Sequence, residues 1–181
     1  MLPIFAEAIE RLAALTGAIE LVVPAVAHLG QHVRAVASAW PVPPRVVTNP
    51  AEKLAAFRTA RAALAKSGTV TLELALSGIP MVTAYKVSQV EEFIARRMIR
   101  VHSVILANLV VGENVVPEFL QGAATPAALA DAMVPLLRDT PERRRQVETF
   151  ARLDAIMEIG SARPSERAAD IVLEIAARGR R

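Results

Sequence analysis

The chain has 181 residues, 53% of them hydrophobic, a formal net charge of +3 and no cysteine. That length and apolar content suit one globular domain, or one domain with a helical extension, and exclude a disordered chain, a disulfide framework and thiolate metal sites. The basic excess sits mainly in separate groups (Arg96, Arg97 and Arg100; Arg143 to Arg145; the Arg178 to Arg181 tail) and aromatics are only 4%, so nucleic acid ranks below an anionic membrane surface as a partner. His28 and His32 stand four residues apart, but neither a third histidine nor a carboxylate follows at ligand spacing; with His102 distant, no metal and no cofactor are expected. The amino terminus lacks a signal pattern, and no apolar run reaches the roughly 18 residues of a spanning helix. A cytoplasmic protein is the default expectation, with peripheral contact at the inner face of a membrane.

In chain order, Ile4, Phe5, Ala8, Ile9, Leu12 and Leu15 recur at helical spacing, so a helix is predicted over 3–15. Residues 19–26 read as a buried strand, and 27–40 as a helix stopped by Pro41, Pro43 and Pro44. A short strand over 45–48 leads to Asn49-Pro50-Ala51-Glu52, which caps a helix over 50–61. A strand over 62–66 delivers the turn Ser67-Gly68-Thr69, and the helix after it ends at Gly78 with Pro80 beyond. Another strand covers 80–85, Ser88-Gln89-Val90-Glu91 starts a helix to about 99, and 103–107 reads as a strand. No strand is expected after Asn108. Thr125-Pro126 and Thr140-Pro141 open helices to about 137 and 156, and a last helix spans 165–178. The alternation predicts an α/β fold with a Rossmann-like parallel sheet covered on both faces over 1–122, followed by a helical extension over 123–181. A doubly wound domain normally opens on a strand that becomes central, whereas this chain opens on the helix that should follow one; a missing first strand is the expectation.

The turn carries the chemistry. Gly68 leaves room for a ligand at the backbone, and the first amides of the following helix point outward unpaired, a ready site for phosphate. Glu73, four residues after Thr69 on the same helical face, could accept hydrogen bonds from the vicinal hydroxyls of a sugar. A phosphate cradle beside a ribose-reading acid implies a nucleotide. A plain helix cap would use the same residues, with Glu73 favourable at the positive end of the dipole.

Longer stretches carry a resemblance. The run from Ser67-Gly68-Thr69-Val70-Thr71-Leu72-Glu73 to Met81-Val82, then Tyr85-Lys86-Val87-Ser88, Ala95-Arg96-Arg97, Ala107-Asn108-Leu109 and Val115-Val116-Pro117-Glu118-Phe119-Leu120-Gln121, resembles the C-terminal half of bacterial lipid-A-disaccharide synthases. The resemblance extends from Leu2 to Ala169. It implies the C-terminal domain of an inverting glycosyltransferase with two Rossmann domains (GT-B), which joins UDP-2,3-diacylglucosamine to 2,3-diacylglucosamine 1-phosphate and releases UDP. It further implies that Ser67, Gly68 and Thr69 cradle phosphate, that Glu73 reads ribose and that Asn108 lines the same cleft. The C-terminal helices of such a domain pack against a neighbouring subunit, so self-association is expected as well.

The departures bear on the same site. The family's Gly-Ser-Arg phosphate loop and its preceding domain, with the candidate catalytic carboxylates, have no counterpart here, so no catalytic residue is assigned and the chain alone is expected to be inactive. The common Leu-Pro-Asn reads Leu106-Ala107-Asn108, and the frequent Gly-Arg reads Gly112-Glu113. No Asp-x-Asp metal motif occurs. Two other classes remain open, a non-catalytic nucleotide-binding or assembly module and a UDP-sugar epimerase-like domain.

Overall fold

The computed structural model describes residues 1–87, 103–157 and 164–178, and the helix expected from Ser88 lies outside them. Helix α1 (Leu2–Thr16) leads to strand β1 (Val22–Pro24), a 3-10 turn (Ala27–Leu29), α2 (Gly30–Ala37) and β2 (Arg45–Val47). Then follow α3 (Pro50–Thr59), β3 (Ala63–Lys66), α4 (Val70–Leu76) and β4 (Met81–Tyr85). After the undescribed stretch come α5 (Leu106–Val111), β5 (Glu118–Leu120), α6 (Pro126–Leu137), α7 (Pro141–Phe150), α8 (Leu153–Met157) and α9 (Pro164–Arg178).

Three helix starts follow one chemical rule. Asn49 Oδ1 accepts the Ala51 amide at 2.8 Å, and the hydroxyls of Thr125 and Thr140 accept the amides of Ala128 and Arg143, each at 3.2 Å. A proline follows each cap, where its missing N–H costs nothing. The helix expected over 141–156 is interrupted at residues 151 and 152, so that α7 and α8 are separate.

Among the described residues all strand pairs are parallel, and they form two groups: β1 beside β2, and β4 between β3 and β5. The expectation of a strand over 103–107 is overturned, because Leu106–Val111 is helical and ends at Gly112, whose φ of 78° closes the last turn with a bond from its amide to the Asn108 carbonyl. The expectation of no strand after Asn108 fails as well, since Glu118–Leu120 pairs with Thr83, Ala84 and Tyr85.

Strand β4 shows why its sequence is apolar throughout. Successive side chains point to opposite faces, so Met81 enters a core with Leu74, Ile105, Val111, Phe150 and Leu153, while Val82 and Ala84 enter another with Leu12, Leu129 and Met133. Helices therefore cover both faces of this sheet. α6 lies along α1 and β4, and Leu129 is 0% exposed.

Hydrogen-bond parity locates the edges. Ala63 and Ser67 donate to Pro80 and Ala84, so the peptide groups of Leu64 and Lys66 face away from β4. In β1 the Leu21 carbonyl accepts from Arg45 and the Ala25 amide donates to Val47, which turns Val22 and Pro24 away from β2. Among the described residues neither outer edge has a strand partner. Residues from both sides of this division, Ile19 and Leu21 with Ala62 and Leu64, pack on the same apolar cluster beneath α1.

Candidate functional site

The Ser67-Gly68-Thr69 turn sits at the carboxyl end of β3, where open parallel sheets bind ligands. Its conformation is set from behind. The Gly68 carbonyl accepts both the Thr71 amide at 3.1 Å and the Thr71 hydroxyl at 2.8 Å, and Thr71 is fully buried. A trans peptide holds its C=O and N–H in opposite directions, so tying the Gly68 carbonyl inward aims the Thr69 amide outward. The amides of Gly68, Thr69 and Val70 make no backbone hydrogen bond among the described residues, and a Cβ at Gly68 would meet nothing within 4 Å. The front of the turn is open backbone rich in donors.

Ser67 is less free than its position suggests. Its hydroxyl donates to the Val104 carbonyl at 2.9 Å, tying the turn to the segment before α5. That segment is held in turn by Glu118 on β5, whose carboxylate accepts from the Ser103 hydroxyl and from the Val104 amide at 3.1 Å.

Asn108 belongs to the same network and lies behind the surface, 0% exposed. Its Oδ1 accepts the amides of Val115 and Val116 at 3.1 and 2.9 Å, while Nδ2 donates to the Val116 carbonyl and to Glu118 Oε1, both at 3.0 Å. The side chain is thus fully engaged. The structure connects Asn108 to Ser67 through Glu118 and Val104, and does not bring its amide out beside Gly68.

Glu73 is exposed on α4, and its Oε2 is paired with Lys53 of α3. The Lys53 ammonium also lies 5.3 Å from the centre of the Phe57 ring, one turn further along α3. At the end of β3, Lys66 places its ammonium 5.5 Å from the centre of the Tyr85 ring. Neither lysine carries a motif signal, because Lys53 meets Glu73, and Lys66 meets Tyr85, only in the fold; the bonds of Glu118 are non-local too, whereas Thr71 bonds three residues back and only its burial depends on the fold. Glu113, where a basic residue is frequent in the resemblance, pairs with Arg152 at 2.7 Å.

A family model described as lipid-A-disaccharide synthetase matches residues 1–172. The chain belongs to this family. It is 60% identical over 178 residues to the lipid-A-disaccharide synthase of Bradyrhizobium diazoefficiens, covering 98% of this chain and 45% of the relative. The synthase of Rhodopseudomonas palustris strain HaA2 is 54% identical over 175 residues, 97% of this chain and 44% of the relative. That of Rhodospirillum centenum is 38% identical over 175 residues, again 97% of this chain and 44% of the relative. The chain therefore spans under half the length of these relatives. Among the described residues no helix is long and apolar enough to cross a membrane.

Proposed function

We propose that this chain is the UDP-binding half of a lipid-A-disaccharide synthase of the two-Rossmann-domain (GT-B) type. The whole enzyme transfers 2,3-diacylglucosamine from its UDP derivative to 2,3-diacylglucosamine 1-phosphate. Family membership across residues 1–172 is the observation that carries this reading, and the outward amides of the turn are what it asks of the site. The diphosphate lies against Gly68, Thr69 and Val70, with Ser67 anchoring the turn, Glu73 accepting from the ribose hydroxyls and Asn108 holding the supporting segment in place.

Chemistry follows from that placement. Displacement at the anomeric carbon leaves negative charge on the departing UDP, and fixed backbone donors stabilise that charge without having to reorganise. The general base and the acceptor site belong to the other half of the enzyme. A further strand between β1 and β3 completes the sheet, as the two unpartnered edges and the apolar cluster spanning them favour. Until that strand is supplied, the edges favour self-association, as do the exposed Ile171, Val172, Leu173 and Ile175 of α9. Light scattering over a range of concentrations reads this, and a concentration-independent monomer would sink it.

Titration calorimetry with UDP tests the site. Glu73→Ala is expected to weaken binding by about 1–3 kcal/mol, because charge-assisted bonds to ribose are lost. Unchanged affinity in a variant that melts like the wild type removes Glu73 from the site.

A further inference from the structure

We infer that Lys53 is a positioning residue for the nucleotide site, acting through the carboxylate of Glu73. This rests on the reading that Glu73 faces ribose, and it adds a residue that the turn and its motif do not contain.

To read two adjacent hydroxyls, a carboxylate must be held in one orientation with an oxygen free to accept. A glutamate side chain on an exposed helix face samples several rotamers, and ordering it on binding costs free energy that subtracts from affinity. Here one oxygen, Oε2, is already engaged by the Lys53 ammonium. The lysine is itself confined. Its ammonium lies 5.3 Å from the centre of the Phe57 ring, and Phe57 packs against the core that also holds Leu74 and Ala75 of α4. The backbone beneath it is fixed as well, since the Lys53 amide donates to the Asn49 carbonyl at 3.0 Å and Asn49 caps α3. An ion pair this exposed contributes little to folding stability. Its consequence is orientation, with Oε1 left to accept from the ligand. The pairing also offsets the carboxylate charge beside a bound diphosphate, which would otherwise repel it.

The discriminating experiment is a double-mutant cycle read by UDP titration of the 181-residue chain, using Lys53→Gln, Glu73→Gln and the double variant, with Lys53→Arg as rescue. Lys53→Gln is expected to weaken UDP binding about three- to tenfold with the wild-type melting temperature retained, and to change it less than about twofold when Glu73 is already glutamine. Lys53→Arg should return most of the affinity, which a merely structural loss would not predict. Unaltered affinity in Lys53→Gln overturns the inference. So does a loss that persists undiminished in the Glu73→Gln background, which would make Lys53 a direct ligand contact instead. If Glu73→Gln itself binds UDP as tightly as the wild type, the ribose reading of Glu73 falls, an outcome visible in a different arm of the cycle. No UDP binding by the wild type overturns both.

Discussion

The two strand groups of this molecule are built from similar apolar residues and end up in different physical situations. β4 has a strand on each side and helices on each face, and Met81, Val82, Thr83 and Ala84 are all 0–1% exposed. Among the described residues β1 has one strand neighbour, and Val22 and Val23 are only half-buried. Burial in a parallel sheet thus depends on neighbours on all four sides, and sequence hydrophobicity reports only the capacity for it. The candidate site lies on the boundary, since β3 is paired on the side of β4 and has no strand partner on the other among the described residues.

Core truncation should separate the two regions most strongly. Leu129→Ala removes a 0% exposed side chain packed beneath β4 and is expected to cost about 2–5 kcal/mol in urea unfolding. Val23→Ala in β1 should cost less than about 1 kcal/mol. Equal losses would mean that the β1–β2 group is as tightly packed as the other in solution.

A smaller effect should come from the end of β4. Met81 points its peptide group toward β5, which begins too late to meet it, and the Gln146 amide takes the place of a strand there. Gln146 Oε1 accepts the Met81 amide at 2.8 Å and Nε2 donates to its carbonyl at 3.1 Å. Gln146→Leu leaves both groups buried and unpaired and should destabilise by about 1–3 kcal/mol. A neutral variant would show that water reaches Met81 and that the end of β4 is more open than its 0% exposure indicates.

The smallest effect is electrostatic and lies at the surface. The hydrogen bond from Arg61, followed by its charge, holds the Asp139 carboxyl below its ordinary value. A depressed folded value means that the contribution is present above the unfolded pKa of about 3.9 and is lost as pH falls through the lower folded value. Asp139→Asn should therefore leave the melting temperature near pH 2 unchanged and lower it slightly at pH 6. A larger loss in acid than at pH 6 would reverse the sign and refute the pairing.

Much of the site was legible from local chemistry. The Ser67-Gly68-Thr69 turn between β3 and α4 and the exposure of Glu73 follow from a glycine between an apolar run and a helix start. The place of Asn108 did not follow, because its four hydrogen bonds, to Val115, Val116 and Glu118, form only when the chain turns back after α5 into β5. Lys53 was invisible for the same reason, standing 20 residues from Glu73.

Local sequence determined the helices whose first turns satisfy themselves. Asn49-Pro50, Thr125-Pro126 and Thr140-Pro141 supply the cap acceptor and the proline within a few residues of the amides they serve, so no distant contact is required. Family membership, too, was readable in ordered motifs. Tertiary structure alone decided the short elements. Leu106–Val111 is an apolar run that fits a buried strand or a buried helix, and it becomes helix where Asn108 anchors its inner side and Gly112 can take a positive φ at its end. Glu118–Leu120 is three residues long and becomes a strand because β4 lies beside it. A strand's hydrogen bonds come from another segment of chain, whereas a helix closes its own, and so the one is settled by the fold and the other largely by the residues themselves.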